Sequence, residues 1–201
     1  MAVSVPPAAA EQLLGGALAI LPTDTVYGIA AAAGCEDACA RLYTLKQRPS
    51  SQATAVMLGS VPGLLATLPE LDERTAGICR RLLPGAVTLI VPNPAGRFAH
   101  ACGDRPERIG VRVPDLEPAV AELADAAGGL VITSANLRGG PDPATAADVP
   151  VELHEAAAFV VDAGPLPGRP SSVIDVTGEM PAVLREGPDL EAVLAAVGAA
   201  R

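Results

Sequence analysis

Ala17-Leu18-Ala19-Ile20-Leu21-Pro22-Thr23-Asp24-Thr25-Val26-Tyr27-Gly28 is the stretch whose reading decides the fold. Five apolar residues run without alternation and Pro22 stops them, the pattern of a short buried strand. Thr23, Asp24 and Thr25 follow directly, so the strand delivers two hydroxyls and a carboxylate at its end. Residues 130–133 read as a second such strand, and they feed Ser134-Ala135-Asn136. Ser171-Ser172 makes a third polar cluster beside apolar residues. In open α/β sheets ligands gather in the crevice outside strand ends, where hydroxyls and an amide bind small polar molecules. Ser, Thr and Asn also cap helices and build turns, and the residues alone leave both roles open.

Working outward, Cys35, Cys39, Leu42 and Leu45 recur at helical spacing, which predicts a helix over residues 36–47. Glu36 and Asp37 suit its positive N-terminal end, and Pro49 closes it. Lys46 and Arg48 therefore stand at the helix exit, before Ser50-Ser51-Gln52. Residues 55–58, 87–91, 109–113, 159–162, 173–176 and 182–185 read as further strands. Residues 72–83, 116–127 and 189–197 read as helices, while residues 93–108 and 137–143 read as loops. Strands and helices interleave throughout, which predicts one α/β (α+β) domain spanning residues 1–201. Late strands with no helix between them imply a mixed parallel and antiparallel sheet.

The composition excludes several function classes. The chain has 201 residues, a formal net charge of −9 and only 2% aromatic residues, so its core is built of small aliphatics. Lys46 is its only lysine, against thirteen arginines. A phosphate-binding loop needs a lysine after glycine, and Lys46 sits in Leu45-Lys46-Gln47-Arg48. No two glycines stand two positions apart, so the dinucleotide fingerprint is missing. A pI near 4.6 disfavours broad binding of nucleic acid while allowing a local basic cleft. Cys35, Cys39, Cys79 and Cys102 are too scattered for a disulfide framework and read as buried thiols rather than a zinc site. The first positive charge is Arg41, so no signal peptide is expected, and no apolar run reaches the ~18 residues of a membrane helix. The expected location is cytoplasmic.

The cations carry more information. Lys46 and Arg48 flank a helix end, and Arg112, Arg138, Arg169 and Arg185 lie at or beside strand ends. Guanidinium forks suit carboxylates and phosphates, and an ammonium is a compact charge for phosphoryl oxygens. Convergence of several on one cleft would attract a nucleotide; surface solvation is the other reading. No nucleophile elbow occurs, and two histidines leave little scope for a catalytic triad. Asp24, Asp175 and Glu186 are candidates to hold Mg²⁺ with bound phosphates, although each also reads as a capping or salt-bridging carboxylate.

Seven ordered motifs then carry a resemblance from about residue 11 to residue 187. They are Pro22-Thr23-Asp24-Thr25-Val26-Tyr27-Gly28, Lys46-Gln47-Arg48-Pro49, Leu83-Pro84-Gly85 with Thr88-Leu89, and Val111-Arg112-Val113-Pro114. Ser134-Ala135-Asn136, Pro170-Ser171-Ser172-Val173-Ile174-Asp175 and Leu184-Arg185-Glu186-Gly187 complete them. At these residues the chain resembles the YrdC-like family of threonylcarbamoyl-AMP synthases. The resemblance implies a twisted mixed sheet flanked by helices around a large central cleft. It implies an enzyme that turns L-threonine, bicarbonate and ATP, with Mg²⁺, into threonylcarbamoyl-AMP and pyrophosphate. Downstream proteins would then transfer the group to tRNA.

By motif position, Lys46 and Arg48 would be catalytic, at the ATP phosphates and the carboxylating carbon species. Arg48, Gln52, Asn136 and Arg185 would bind ATP; Thr25, Arg112, Ser134 and Ser171 would bind threonine; no protein residue would be a dedicated metal ligand. Three departures stand out. Ala53-Thr54 replaces a common Pro-Leu, Met57 replaces a histidine of some members, and Asp142-Pro143-Ala144-Thr145 replaces Ser-Pro-Thr-Thr. The chain's end near residue 201 predicts no extra C-terminal domain of the kind longer relatives carry. The alternatives are a non-catalytic, RNA-binding or regulatory member of the same fold, with at most weak RNA contact here, and transfer from a carbamoyl-adenylate.

Overall fold

The computed structural model describes residues 3–49, 51–188 and 190–198. In chain order the elements are α1 (Ala9–Leu14), β1 (Leu18–Leu21), β2 (Gly28–Ala32), α2 (Glu36–Leu45), β3 (Ala55–Met57), α3 (Val61–Thr67) and α4 (Glu73–Leu82). Then follow β4 (Val87–Pro92), β5 (Arg108–Arg112), α5 (Pro118–Ala126), β6 (Leu130–Ser134), α6 (Val151–Ala156), β7 (Ala157–Val160), β8 (Ser172–Asp175), β9 (Ala182–Arg185) and α7 (Leu190–Gly198). The strands form a nine-stranded sheet in the order β7-β1-β2-β6-β3-β5-β4-β8-β9. β1–β7, β3–β5 and β4–β8 are parallel, while the other neighbours are antiparallel. The sheet is therefore mixed, as the run of late strands predicts.

Three short helices and one strand go beyond the sequence expectation. β2 is Gly-Ile-Ala-Ala-Ala, buried at every position. It shows neither alternation nor β-branched enrichment, so its strand state comes from pairing with β1 and β6 on both sides. α3 begins at Ser60, whose side chain accepts from Gly63 N–H, and it carries Pro62 in its first turn. The strand expected at residues 159–162 lies at Ala157–Val160 instead, paired with β1. The helix expected at residues 189–197 is α7, although Asp189 lies outside the described residues, as does Ser50 of the expected loop.

One face of the sheet is covered by α2 and α4 over its central strands, while the edge strand β9 is exposed at every position. Ala38, Cys39, Leu42 and Tyr43 of α2 and Ile78 and Cys79 of α4 pack there against Ile20, Ile29, Val56, Leu89, Val111 and Ile174. The other face is covered over only part of its width. α1 supplies Ala9 and Leu13, and α5 supplies Val120, Leu123 and Ala124, against Leu21, Ala30, Ala32, Met57 and Leu130. Beyond them the same face is bare, and Gly28, Ala55, Thr88, Ile90, Gly110 and Val173 look into a cleft. The site is thus the uncovered part of a sheet surface. Gly28, Ala55 and Gly110 deepen its floor by withholding side chains.

Candidate nucleotide and amino-acid cleft

The cleft has a volume of about 310 Å³, within the range of small-molecule sites. Thr25, Arg48, Arg112, Ser134, Ser171 and Arg185 all line it. They come from six separate segments, including the two strand ends read first from sequence. Lys46, Gln52 and Asn136 line an adjoining cavity of about 250 Å³, whose wall shares Arg48, Thr133 and Ser134 with the cleft. The structure therefore brings the nine predicted site residues to two contiguous cavities. Arg138 is exposed at the smaller cavity, and the exposed Arg169 lines neither.

Lys46 ends α2, where Gln47 takes a left-handed φ of 49° and reverses the chain. Arg48 N–H then returns to Tyr43 O at 2.9 Å, so Lys46 and Arg48 leave the helix on the same side as the cavities. Lys46 Nζ donates to Ser134 O at 2.7 Å, to Asn136 Oδ1 at 2.6 Å and to Asn136 O. The ammonium thus clamps the exit of β6 to the exit of α2. Burial pulls its pKa down to about 8, Arg48 adds to the fall and Asp142 opposes it. At neutral pH it remains an ammonium, which its three acceptors require. Arg48 donates from Nε to Gln52 O at 3.3 Å and from Nη2 to Ala53 O, curling residues 49–53 around its side chain. Gln52 reaches the site through that carbonyl, while its side chain is exposed.

At the other end, Arg112 is buried on β5. Its Nη2 donates to Asp24 Oδ1 at 2.6 Å and to Thr25 Oγ1 at 3.3 Å, and its Nε is buried without a hydrogen-bond partner. Asp24, a candidate Mg²⁺ ligand from sequence, is therefore the partner of an arginine. Asp175 is likewise held by Arg108 at 2.7 Å, and Glu186 is exposed. Thr23 builds the turn that presents Thr25, donating from Oγ1 to Val26 O at 2.8 Å. In that cluster one hydroxyl folds the loop, and the next lies at the cleft wall.

Ser171 and Ser172 divide their work in the same way. Ser171 Oγ lies 3.0 Å from Thr88 Oγ1 and accepts from Arg185 Nη2 at 3.1 Å, while Arg185 Nε donates to Ser171 O at 2.9 Å. Ser172 turns away, accepting Gly187 N–H at 3.0 Å. Gly187 permits this crossing, because a Cβ there would stand 2.3 Å from Ser172 N. Met57 is fully buried and packs with the apolar cluster under α5, so it lines neither cavity.

The sequence reading missed Asp142. It lines the cleft and accepts from Asn136 Nδ2 at 3.2 Å. Its position right after Gly139-Gly140-Pro141, on the loop leaving Ser134-Asn136, was the available signal.

Guanidinium groups, an ammonium and hydroxyls over the bare part of a mixed sheet define a class: an α/β domain built to take small anionic and zwitterionic ligands. Comparison with known proteins places it further. The chain belongs to the Sua5/YciO/YrdC family, whose model, described as "Telomere recombination", matches residues 11–187. A putative threonylcarbamoyl-AMP synthase of Mycobacterium tuberculosis is 34% identical over 184 residues, covering 90% of this chain and 82% of the relative. The threonylcarbamoyl-AMP synthase of Bacillus subtilis is 32% identical, covering 89% of this chain and 52% of its own length. The crystal structure of Pyrococcus abyssi Sua5 complexed with L-threonine matches with a TM-score of 0.79 and 29% identity, over 94% of this chain and 56% of that one. The chain thus spans about half the length of the last two relatives. Among the described residues, no helix is long and apolar enough to cross a membrane.

Proposed function

We propose that the chain is an L-threonylcarbamoyladenylate synthase, a nucleotidyltransferase acting in the cytoplasm on L-threonine, bicarbonate and MgATP. The observation that carries this reading is the placing of Arg112, with Thr25, Ser134 and Ser171, in one cleft with Arg48 and Arg185. Arg112 would take the threonine carboxylate at the cleft wall that it shares with Thr25, Ser134 and Ser171. The neutral hydroxyls around it leave the amine free to lose a proton. The amine and bicarbonate give a carbamate and water. A carbamate oxygen then attacks the α-phosphorus of ATP, and pyrophosphate leaves.

No enzyme nucleophile is needed, because the carbamate supplies the attacking oxygen. The residues position the reactants and neutralise charge. Arg48 and Arg185 would meet phosphates in the cleft. Lys46, with its ammonium fixed on residues 134–136, would hold Asn136 for the nucleotide and turn positive potential toward the phosphates. Mg²⁺ enters with the nucleotide and screens its charge. The product would pass to downstream proteins that modify tRNA, and direct RNA contact would be weak on a body of net charge −9.

The test incubates the protein with threonine, bicarbonate, Mg²⁺ and labelled ATP. Pyrophosphate release that requires both threonine and bicarbonate is expected. Release independent of either, or none at all, overturns the proposal.

A further inference from the structure

Asp142 is the one carboxylate among the described side chains that line the cleft, and the chemistry above leaves it without a role. It is half-buried and its backbone is fixed on one side: Tyr27 N–H donates to Pro143 O at 3.0 Å, and Leu166 N–H to Ala144 O at 2.8 Å. Oδ1 accepts from Asn136 Nδ2, and Oδ2 receives no hydrogen bond from the described residues. Arg48 and Arg185 line the same cleft and Lys46 lines the adjoining cavity, yet none makes an ion pair with it. Each of the three is tied to backbone or hydroxyl oxygens instead. The Asp142 charge still acts on Lys46 and Arg185, opposing the effect of burial on both.

A free carboxylate among cations, in a cleft for a polyphosphate, repels that ligand unless a cation stands between them. Mg²⁺ takes one or two protein carboxylates together with substrate phosphates and waters, and it seldom needs an all-protein cage. Among the described residues no group of three or more His, Cys, Asp or Glu could hold an ion unaided, so the ion must bring phosphate ligands with it. Asp24 and Asp175 are committed to arginines. We propose that Asp142, through its free Oδ2, is the protein's ligand to the divalent cation of the bound nucleotide. The inference rests on the nucleotide-binding reading of the cleft and adds to it a metal-binding residue.

Calorimetric titration of ATP into the wild-type protein and Asp142→Asn, each with Mg²⁺ and with EDTA, tests it. Asparagine keeps an oxygen for Asn136 and removes the charge; Asp142→Ser is the second variant should the first fold poorly. Mg²⁺ is expected to tighten ATP binding to wild type by about tenfold more than it does for the variant, a coupling read from the four affinities. In EDTA the variant is expected to bind ATP more tightly than wild type, since the repulsion is gone. With Mn²⁺ as the probe, the water-proton relaxation of the protein–MnATP complex should differ between the two proteins. Equal Mg²⁺ dependence in both overturns the assignment. So does an equal gain for the variant with and without metal, which is repulsion alone. Absence of ATP binding to wild type in both buffers would instead defeat the nucleotide reading, and this inference with it.

Discussion

Replacing Asp24 with alanine strands Arg112 as a buried, unpaired charge, and is expected to cost about 3 kcal/mol of folding stability. The two side chains meet at 2.6 Å and are 11% and 10% exposed. At an effective dielectric near 20, unit charges ~4 Å apart attract by about 4 kcal/mol. Breaking a buried pair from one side costs about 3–5 kcal/mol, and the access of cleft water to Arg112 sets the expectation at the low end. Arg112 would keep only its 3.3 Å contact with Thr25, and Asp115 N–H would lose the Asp24 oxygen it donates to at 3.2 Å.

The pair as a whole is worth much less than either loss. Burial raises the Asp24 carboxyl above its ordinary value, and Arg112 opposes that rise without reversing it. An acid raised in this way binds more protons folded than unfolded. Its contribution to stability therefore falls as pH climbs from the unfolded pKa to the folded one. Removing both charges together, as Asp24→Ala with Arg112→Met, should then leave stability within about 1 kcal/mol of wild type. Urea denaturation of wild type, both single variants and the double measures the coupling. A loss under about 1 kcal/mol for Asp24→Ala, or a double variant equal to the sum of the singles, would refute the reasoning.

Three further outcomes follow from the same geometry. Because burial and Arg48 pull Lys46 down to about 8 from 10.5, kcat/KM for ATP should fall above about pH 8; a profile flat to about pH 10 contradicts the need for an ammonium. Over the same window the unfolded chain holds the proton that the folded one has lost, so this group's contribution to stability rises with pH. Gly187→Ala drives a Cβ to 2.3 Å from Ser172 N and 2.5 Å from Ser171 C. A loss of about 2 kcal/mol in thermal melts is expected, together with weakened ATP binding as Ser171 and Arg185 shift; unchanged melting and affinity would count against it. Met57→Ala should cost about 2–5 kcal/mol by leaving a void in the core, with threonine affinity unaltered in the folded fraction, as titration calorimetry can check.

What could be read from the sequence was local. The helix exit bearing Lys46 and Arg48 follows from apolar spacing and Pro49, and it lies within two residues of its expected end. The strand ends bearing Thr25 and Ser134 follow from apolar runs closed by polar residues. β2 escaped because an alanine run carries no period, and only two neighbouring strands make it extended. α1 and α6 are six-residue helices without side-chain caps, and Pro62 and Gly63 conceal α3. The pairing of Asp24 with Arg112 joins residues 88 apart in sequence. The motifs put both at one site, but which of them neutralises the other is set by the sheet order. Asp142 escaped for the opposite reason: its loop looked like simple punctuation.

The bare floor of the cleft has an evolutionary consequence, because its two glycines are unequal. A Cβ on Gly28 would lie 2.6 Å from Ile132 Cγ1, so that position is frozen by packing. A Cβ on Gly110 would meet Ile90 Cδ1 at 3.4 Å and Ala55 Cα at 3.5 Å, ordinary contact distances. Alanine at residue 110 can therefore raise the floor by one methyl without disturbing the sheet. Ligand size has a dial at that one residue, and turning it leaves the scaffold intact. Drift in substrate preference should be recorded there before it reaches the charged walls.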